Sequence, residues 1–222
     1  MEQTPIHEYH NPDLLRIIPR KSKKLIEIGC SSGALAREWK QNTAVSHYLG
    51  VEIDERYTTQ ARRYCDQCIT FNIENANTIF YSQQADRDCW IFGDILEHLR
   101  DPWAILSQIR KIIPSNGTVV ACIPNSQHWS LQLRLCTGDF RYENSGLLDK
   151  THIRFFTRIT IIELFESTGF KIVEGFPRIF NEPAKDKYLP LIENFAKIAG
   201  FDPAVAVSDS LPLQYVVRAI PS

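Results

Sequence analysis

Residues 25–36 read LIEIGCSSGALA and carry the first side chains that can do chemistry. Gly29-Cys30-Ser31-Ser32-Gly33 permits two readings. As G-x-S-x-G it is an elbow that presents Ser31 as the nucleophile of a hydrolase. As a strand running through a glycine turn into a helix, it is a loop that cradles a phosphate or a cofactor tail. Farther on, Glu52 ends a second strand-like run, SHYLGVEID. A carboxylate there can accept charge-assisted hydrogen bonds from two adjacent ribose hydroxyls. His98, His128, Asp149 and His152 are the candidates for taking a proton from an attacking group, and histidine does so best near neutrality.

One cluster allows metal chemistry. If a helix begins at Asp94, then Asp94, Glu97 and His98 share one face. With His152 they make an O,O,N,N set suited to a divalent cation. Cys65-Asp66-Gln67-Cys68 is a lone C-x-x-C, without a second pair at zinc-site spacing. Cys89 and Cys122 lie in apolar runs, where a thiol behaves as a small hydrophobe.

These residues need elements to hold them. KKLIEIGC, SHYLGVEID, QCITFNIE, DRDCWIFGD and TVVACIPN read as five strands, each a short apolar run bounded by turn residues. Between them lie helical stretches: ALAREWKQN, ERYTTQARRYC and DPWAILSQIRKIIPSNG. In the last, Asp101 can cap the start, Pro102 fits the first turn and Asn116-Gly117 ends it. A shorter helix is expected around residues 12–18. Strands alternating with helices imply parallel β-α-β units with right-handed crossovers, and continuously apolar strands suit a sheet covered on both faces. The alternation stops after Asn125. Residues 126–156 are aromatic, polar and irregular, and read as a small cap inserted after strand five. TRITIIELFESTG (helix), FKIVEGF (strand), YLPLIENFAKIAG (helix) and LQYVVRAI (strand) complete the pattern. The expectation is one domain over residues 1–222, an α/β Rossmann-like fold whose seven-stranded, mostly parallel sheet carries helices on both faces.

Composition narrows the function. The chain has 222 residues, 44% hydrophobic and 23% charged, with a formal net charge of -1. That profile is globular, and the charge argues against a nucleic-acid partner held by a general electrostatic pull. No apolar run approaches the roughly 20 residues of a membrane span, and the N-terminus lacks a basic-then-apolar leader pattern. A cytoplasmic protein is expected.

Order decides between the two readings of the loop. The nucleophile of a G-x-S-x-G hydrolase follows several strands of its sheet, whereas this loop ends the first. The dinucleotide fingerprint G-x-G-x-x-G is also incomplete, since the third glycine is missing. A nucleoside bearing an amino-acid tail fits better than a pyrophosphate.

EIGCSSG, GVEID and DCWIFGDILEHLRDP, in that order, resemble successive motifs of the class I S-adenosylmethionine-dependent methyltransferases. The resemblance continues through IPNSQHW and GLLDKTHIRFFT, which are similar to enzymes of cell-envelope glycan clusters and to ubiquinone-biosynthesis O-methyltransferases. It spans residue 25 to the C-terminus, with one departure: the family usually has glycine where this chain has Ser31. The resemblance implies S-adenosyl-L-methionine as cofactor and S-adenosyl-L-homocysteine as product. Glu27 would then face the cofactor ammonium, and Gly29, Cys30, Ser31 and Gly33 its tail. Glu52 would hold the ribose, Ile53, Asn72 and Ile73 the adenine, and Gly93 and Asp94 would lie beneath the sulfonium. Among proton acceptors, His152 ranks first, ahead of His128 and Asp149. The implied acceptor is a small molecule or glycan hydroxyl, and the alternatives are a quinone precursor, a metal-assisted 2'-O-methylation, and a non-catalytic cofactor-binding domain. The Asp94–Glu97–His98–His152 set resembles the metal site of small-RNA 2'-O-methyltransferases, in which the first position is Glu.

Overall fold

The structure, a computed structural model, describes residues 8–43 and 47–222. The start of the SHYLGVEID run and residues 1–7 lie outside the described residues.

In chain order the elements are α1 (Pro12–Ile17), β1 (Lys24–Ile28), α2 (Ala34–Asn42), β2 (His47–Glu52), α3 (Glu55–Ala61), β3 (Gln67–Thr70), α4 (Thr78–Gln83), β4 (Cys89–Gly93), α5 (Pro102–Ile112), β5 (Thr118–Pro124), α6 (Trp129–Cys136), α7 (Arg158–Ser167), β6 (Phe170–Arg178), α8 (Leu189–Ala199), α9 (Pro203–Ser210) and β7 (Gln214–Pro221). One seven-stranded sheet has the order β3-β2-β1-β4-β5-β7-β6. The first five strands run parallel, and β7 is antiparallel to both neighbours. Strand order reverses between β1 and β4, and the crevice outside the carboxyl ends of those strands is where such sheets bind ligands.

Strand residues alternate between two buried layers. Ile26, Ile28, Leu49, Val51, Trp90 and Phe92 face α5 and α7, whose Ile105, Leu106, Ile109, Ile161 and Leu164 fill that side. Leu25, Tyr48, Cys89, Ile91 and Val120 face the other way, toward Leu14, Leu35 and Trp39. Each fully buried large apolar side chain contributes about 1.5–3 kcal/mol, so both faces of the central strands hold the domain together.

Helix starts follow local chemistry. Asp101 caps α5, its Oδ1 accepting from Ala104 N–H at 2.8 Å, with Pro102 in the first turn. The end expected at Asn116-Gly117 comes earlier. The helix stops at Ile112 with extended backbone at Ile113, because Pro114 disfavours helical backbone in the residue before it. Helix α3 likewise ends at Ala61, short of Cys65, in overlapping turns. Helices α4, α6 and α9 were not foreseen; the first two are short, and α6 lies inside residues 126–156, whose residues show no clean period.

That stretch leaves and rejoins the sheet at one place. Asn125 and Phe156 form a parallel bridge, and Ser126 N–H donates to Phe156 O at 2.7 Å. Its return arm lies on the turn after β4, where Glu97 O accepts from the N–H groups of Ile153 and Arg154 at 3.0 and 2.9 Å.

Candidate functional site

A cavity of about 530 Å³ opens at the carboxyl ends of β1, β2 and β4. Glu27, Gly29, Cys30, Ser31, Glu52, Ile53, Asn72, Ile73, Gly93 and Asp94 all line it, and Glu97, His98, Asp149 and His152 line its other end. Gly33 stands just behind the wall as the residue before α2.

The loop after β1 owes its shape to two glycines. Gly29 has φ +74°, and a Cβ there would lie 2.1 Å from Ile95 Cδ1. Gly33 has φ +80°, and its Cβ would lie 2.9 Å from the Ala61 Cα. Both positions exclude a side chain on conformation and on space. Ser31 takes φ 46° although it is not a glycine, a left-handed conformation that costs about 1 kcal/mol or more for a residue with a Cβ. No side chain caps α2, so its first N–H groups are available to an anion, which the helix dipole also favours.

Ser31 is locked by the acid at the end of β2. Its N–H donates to Glu52 Oε2 at 2.9 Å, while the N–H groups of Ile53 and Asp54 donate to Oε1 at 2.7 and 3.2 Å. Glu52 is buried, which pushes its carboxyl upward, and the backbone donors of Asp54, Ser31 and Ile53 pull it back. One acid therefore ties the two loops that face each other across this end of the cavity. Ile53 is 46% exposed and Ile73 is buried. Asn72 Oδ1 accepts from Glu74 N–H at 2.9 Å and so also caps the short 3-10 turn Ile73–Asn75.

Glu27 is buried among apolar groups and accepts from the Tyr48 hydroxyl at 2.8 Å. Desolvation raises its carboxyl to about 8. The sign of the linkage follows. The folded state holds a proton that the unfolded chain releases near 4.5, so this group's contribution to stability is complete below 4.5 and is lost as pH rises toward 8. The thermal midpoint of the ligand-free protein should fall over that window, and Glu27→Gln should flatten the fall.

At the far end, Asp94 closes β4 with φ 56°, and its Oδ1 accepts from the Gln214 side-chain amide. The helix that would put Asp94 on one face with Glu97 and His98 does not form. Leu96–His98 is a 3-10 turn, and Asp94 is not part of the cluster of convergent ligand atoms, which comprises Glu97, His98 and His152. Glu97 is 1% exposed, and neither carboxylate oxygen has a hydrogen-bond partner. Burial and the Asp94 charge push it well above the usual carboxylate range. His98 Nδ1 lies 3.1 Å from Thr151 O, and His152 Nδ1 lies 3.3 Å from Leu147 O. A carbonyl only accepts, so both Nδ1 atoms carry the proton and both Nε2 lone pairs are free. Those Nε2 atoms sit 4.0 and 3.9 Å from Glu97 Oε1. Burial lowers both histidines, and His98 lowers His152 further, so both rings are neutral at pH 7. Asp149 is engaged otherwise, its Oδ1 accepting from the backbone N–H and the hydroxyl of Thr151 at 2.8 and 2.6 Å.

His128 does not reach the cavity. It is buried, with Nδ1 2.8 Å from Ser130 Oγ and Nε2 3.1 Å from Glu182 Oε2. Trp129, Phe140 and Tyr142 also lie away from the cavity lining. Trp129 stacks on Tyr188, and its indole N–H donates to Glu182. Arg154 donates to Arg100 O and lies over Trp103. Sequence reasoning missed Gln214, which lines the cavity and holds Asp94; its only signal was its place at the start of the last strand.

The pattern of the methyltransferase-domain family matches residues 6–175. No curated protein matches. Among solved structures, a putative S-adenosylmethionine-dependent methyltransferase from Listeria monocytogenes is similar over 95% of this chain and 97% of its own, at 13% identity and TM-score 0.63. The magnesium protoporphyrin IX methyltransferase of Synechocystis PCC 6803 with bound S-adenosylhomocysteine is similar over 94% and 78%, at 13% identity and TM-score 0.59. An S-adenosylmethionine-dependent methyltransferase from Mesorhizobium loti is similar over 94% and 96%, at 14% identity and TM-score 0.61. With the β1 loop, the acid closing β2 and the switch point between β1 and β4 all opening on one cavity, the chain belongs to the class I S-adenosylmethionine-dependent methyltransferases.

Proposed function

We propose that this methyltransferase moves the methyl group to a hydroxyl of a small molecule or glycan, with His152 as the base. One observation carries the reading: two neutral imidazole Nε2 lone pairs and the partnerless Glu97 carboxyl converge at the end of the cavity opposite Glu52. Methyl transfer from a sulfonium is an in-line displacement in which the cofactor supplies the reactive group and the protein supplies alignment and a dry site. A hydroxyl acceptor adds one demand, a group that takes its proton. His152 Nε2 meets it, and Leu147 O holds the ring in the tautomer that leaves that nitrogen basic. The buried Glu97 carboxyl lies 3.9 Å from that nitrogen.

In this reading the cofactor tail lies over Gly29–Gly33, its carboxylate at the start of α2 and its ammonium toward Glu27. Glu52 takes the ribose hydroxyls. It already accepts three backbone bonds, and a carboxylate offers about four lone-pair directions. Gripping both hydroxyls therefore displaces the longest of them, from Asp54. Ile53 and Ile73 flank the adenine with Asn72 at its edge, and Gly93 and Asp94 lie under the sulfur. Asp149 acts through Thr151 by holding the turn that presents His152. The test is release of S-adenosylhomocysteine across matched sugar, phenol, amine and carboxylate acceptors. Turnover confined to the amines or carboxylates would defeat the hydroxyl reading.

A second reading is favoured by the same unpartnered carboxyl. Glu97, His98 and His152 would hold a divalent cation, and each histidine already donates its other nitrogen to a backbone carbonyl, the usual outer support of a metal-bound imidazole. The ion would supply Lewis-acid activation of the acceptor oxygen. The structure leaves Asp94 out of that ligand set. Exhaustive chelation should abolish turnover on this reading, with restoration by added divalent ion; unchanged turnover removes it.

A further inference from the structure

Three thiols meet behind the cofactor loop. Cys30 follows Gly29 in that loop, Cys65 lies beyond the end of α3, and Cys68 is in β3. Their sulfurs all lie within 4.8 Å of one another, with Cys30 and Cys68 at 3.8 Å. Their exposures are 3%, 8% and 9%. The point on which they converge is Gly50, the residue of β2 that pairs with Glu27 on one side and Cys68 on the other. A Cβ there would stand 2.7 Å from the sulfur of Cys30, 3.0 Å from that of Cys65 and 3.2 Å from that of Cys68. The missing side chain is what lets three sulfurs from three separate elements share one place.

We infer that Cys30, Cys65 and Cys68 form a binding site for one soft d10 metal ion. A tetrahedral or trigonal site with metal–sulfur bonds of about 2.3 Å has sulfur–sulfur edges of roughly 3.8–4.0 Å, so the Cys30–Cys68 separation already matches. Soft thiolate sulfur selects zinc-group and cuprous ions over magnesium or calcium. A disulfide would use two of these sulfurs and leave the third without a task, whereas an ion uses all three. Binding is a proton exchange with no change of oxidation state: each thiol gives its proton to solvent, and each sulfur gives a lone pair to the metal. Glu27 and Tyr48 are the other titratable groups near the sulfurs. Because Cys30 belongs to the loop, the ion would tie that loop to β3 and to the end of α3. A gain in cofactor affinity follows, and that consequence alone rests on the loop being the cofactor site.

The test is titration of the reduced full-length protein with Cd²⁺, followed by thiolate-to-metal absorption and by metal content after gel filtration. One ion per chain is expected, with a ¹¹³Cd resonance in the thiolate-rich region for the unaltered protein. Cys65→Ala with Cys68→Ala leaves one of three ligands and should weaken binding by at least about 100-fold, the most that losing a group that merely supports a ligand costs. Cys136→Ala, which alters the exposed cysteine, should leave it unchanged. A ¹¹³Cd resonance typical of nitrogen and oxygen ligands overturns the proposal, as does binding that survives the double substitution or is lost instead in His98→Ala. The wild-type resonance decides even if the double variant does not fold. The metal readouts are independent of cofactor binding, so a failed loop assignment would leave them standing.

Discussion

Glu52→Ala should weaken binding of S-adenosylhomocysteine by about 100-fold or more, measured by calorimetry. Two hydrogen bonds from the ribose to a charged acceptor are worth about 1.5–3 kcal/mol each, and loss of the lower figure for both already amounts to two decades. The carboxylate does a second task. It receives the N–H groups of Ser31, Ile53 and Asp54, so its removal also frees the β1 loop from the β2 loop and leaves the left-handed Ser31 without support. Glu52→Gln separates the two effects. It keeps the shape and one acceptor oxygen but turns an amide toward one of those donors, and its loss should lie between wild type and alanine. Circular dichroism and the thermal midpoint distinguish a folded, weakly binding protein from an unfolded one. Wild-type affinity in a folded Glu52→Ala protein would mean that the cofactor lies elsewhere.

His152→Ala should lower kcat by about 10²–10⁴, the usual contribution of a positioned proton acceptor, with affinity for S-adenosylhomocysteine within about twofold of wild type, because the side chain lines the cavity at the end opposite Glu52. The pH profile gives an independent check. Burial and the neighbouring His98 ring hold His152 below its ordinary 6.5. Protonation removes the lone pair, so activity should be lost as pH falls, with the acidic limb below 6.5 rather than above it. His98→Ala relieves one of the two causes and should move that limb upward. Loss of cofactor affinity in parallel with kcat would make His152 a structural residue of the 126–156 segment instead.

Much of the scaffold was legible because it is set by neighbours in sequence. Short apolar strands, the Asp101 cap, Pro102 in the first turn and the two glycines around Ser31 act over a few residues. Their spacing alone orders the β-α-β units, and it places Glu52 at the same edge of the sheet as the β1 loop. Ends were less legible: through Pro114, α5 stops at Ile112, four residues before the expected signal at Asn116.

The site divides in the same way. The family motifs and their order marked residues from Glu27 to Asp94 that line one cavity. They did not separate His152, which reaches the cavity, from His128, which turns to Glu182, since both are histidines among aromatics. Nor did they indicate that Asp94 would turn to Gln214 while Glu97 is left without a partner. C-x-x-C looked isolated because the third sulfur near it, that of Cys30, comes from the loop after β1, across the bare face of Gly50. Local backbone preferences and periodicity are written in adjacent residues, and the sequence by itself determined the sheet, the loop and the acid that faces it. Which distant side chains meet depends on how loops close over the finished sheet and on which polar groups are desolvated there, and that was decided only by the tertiary structure.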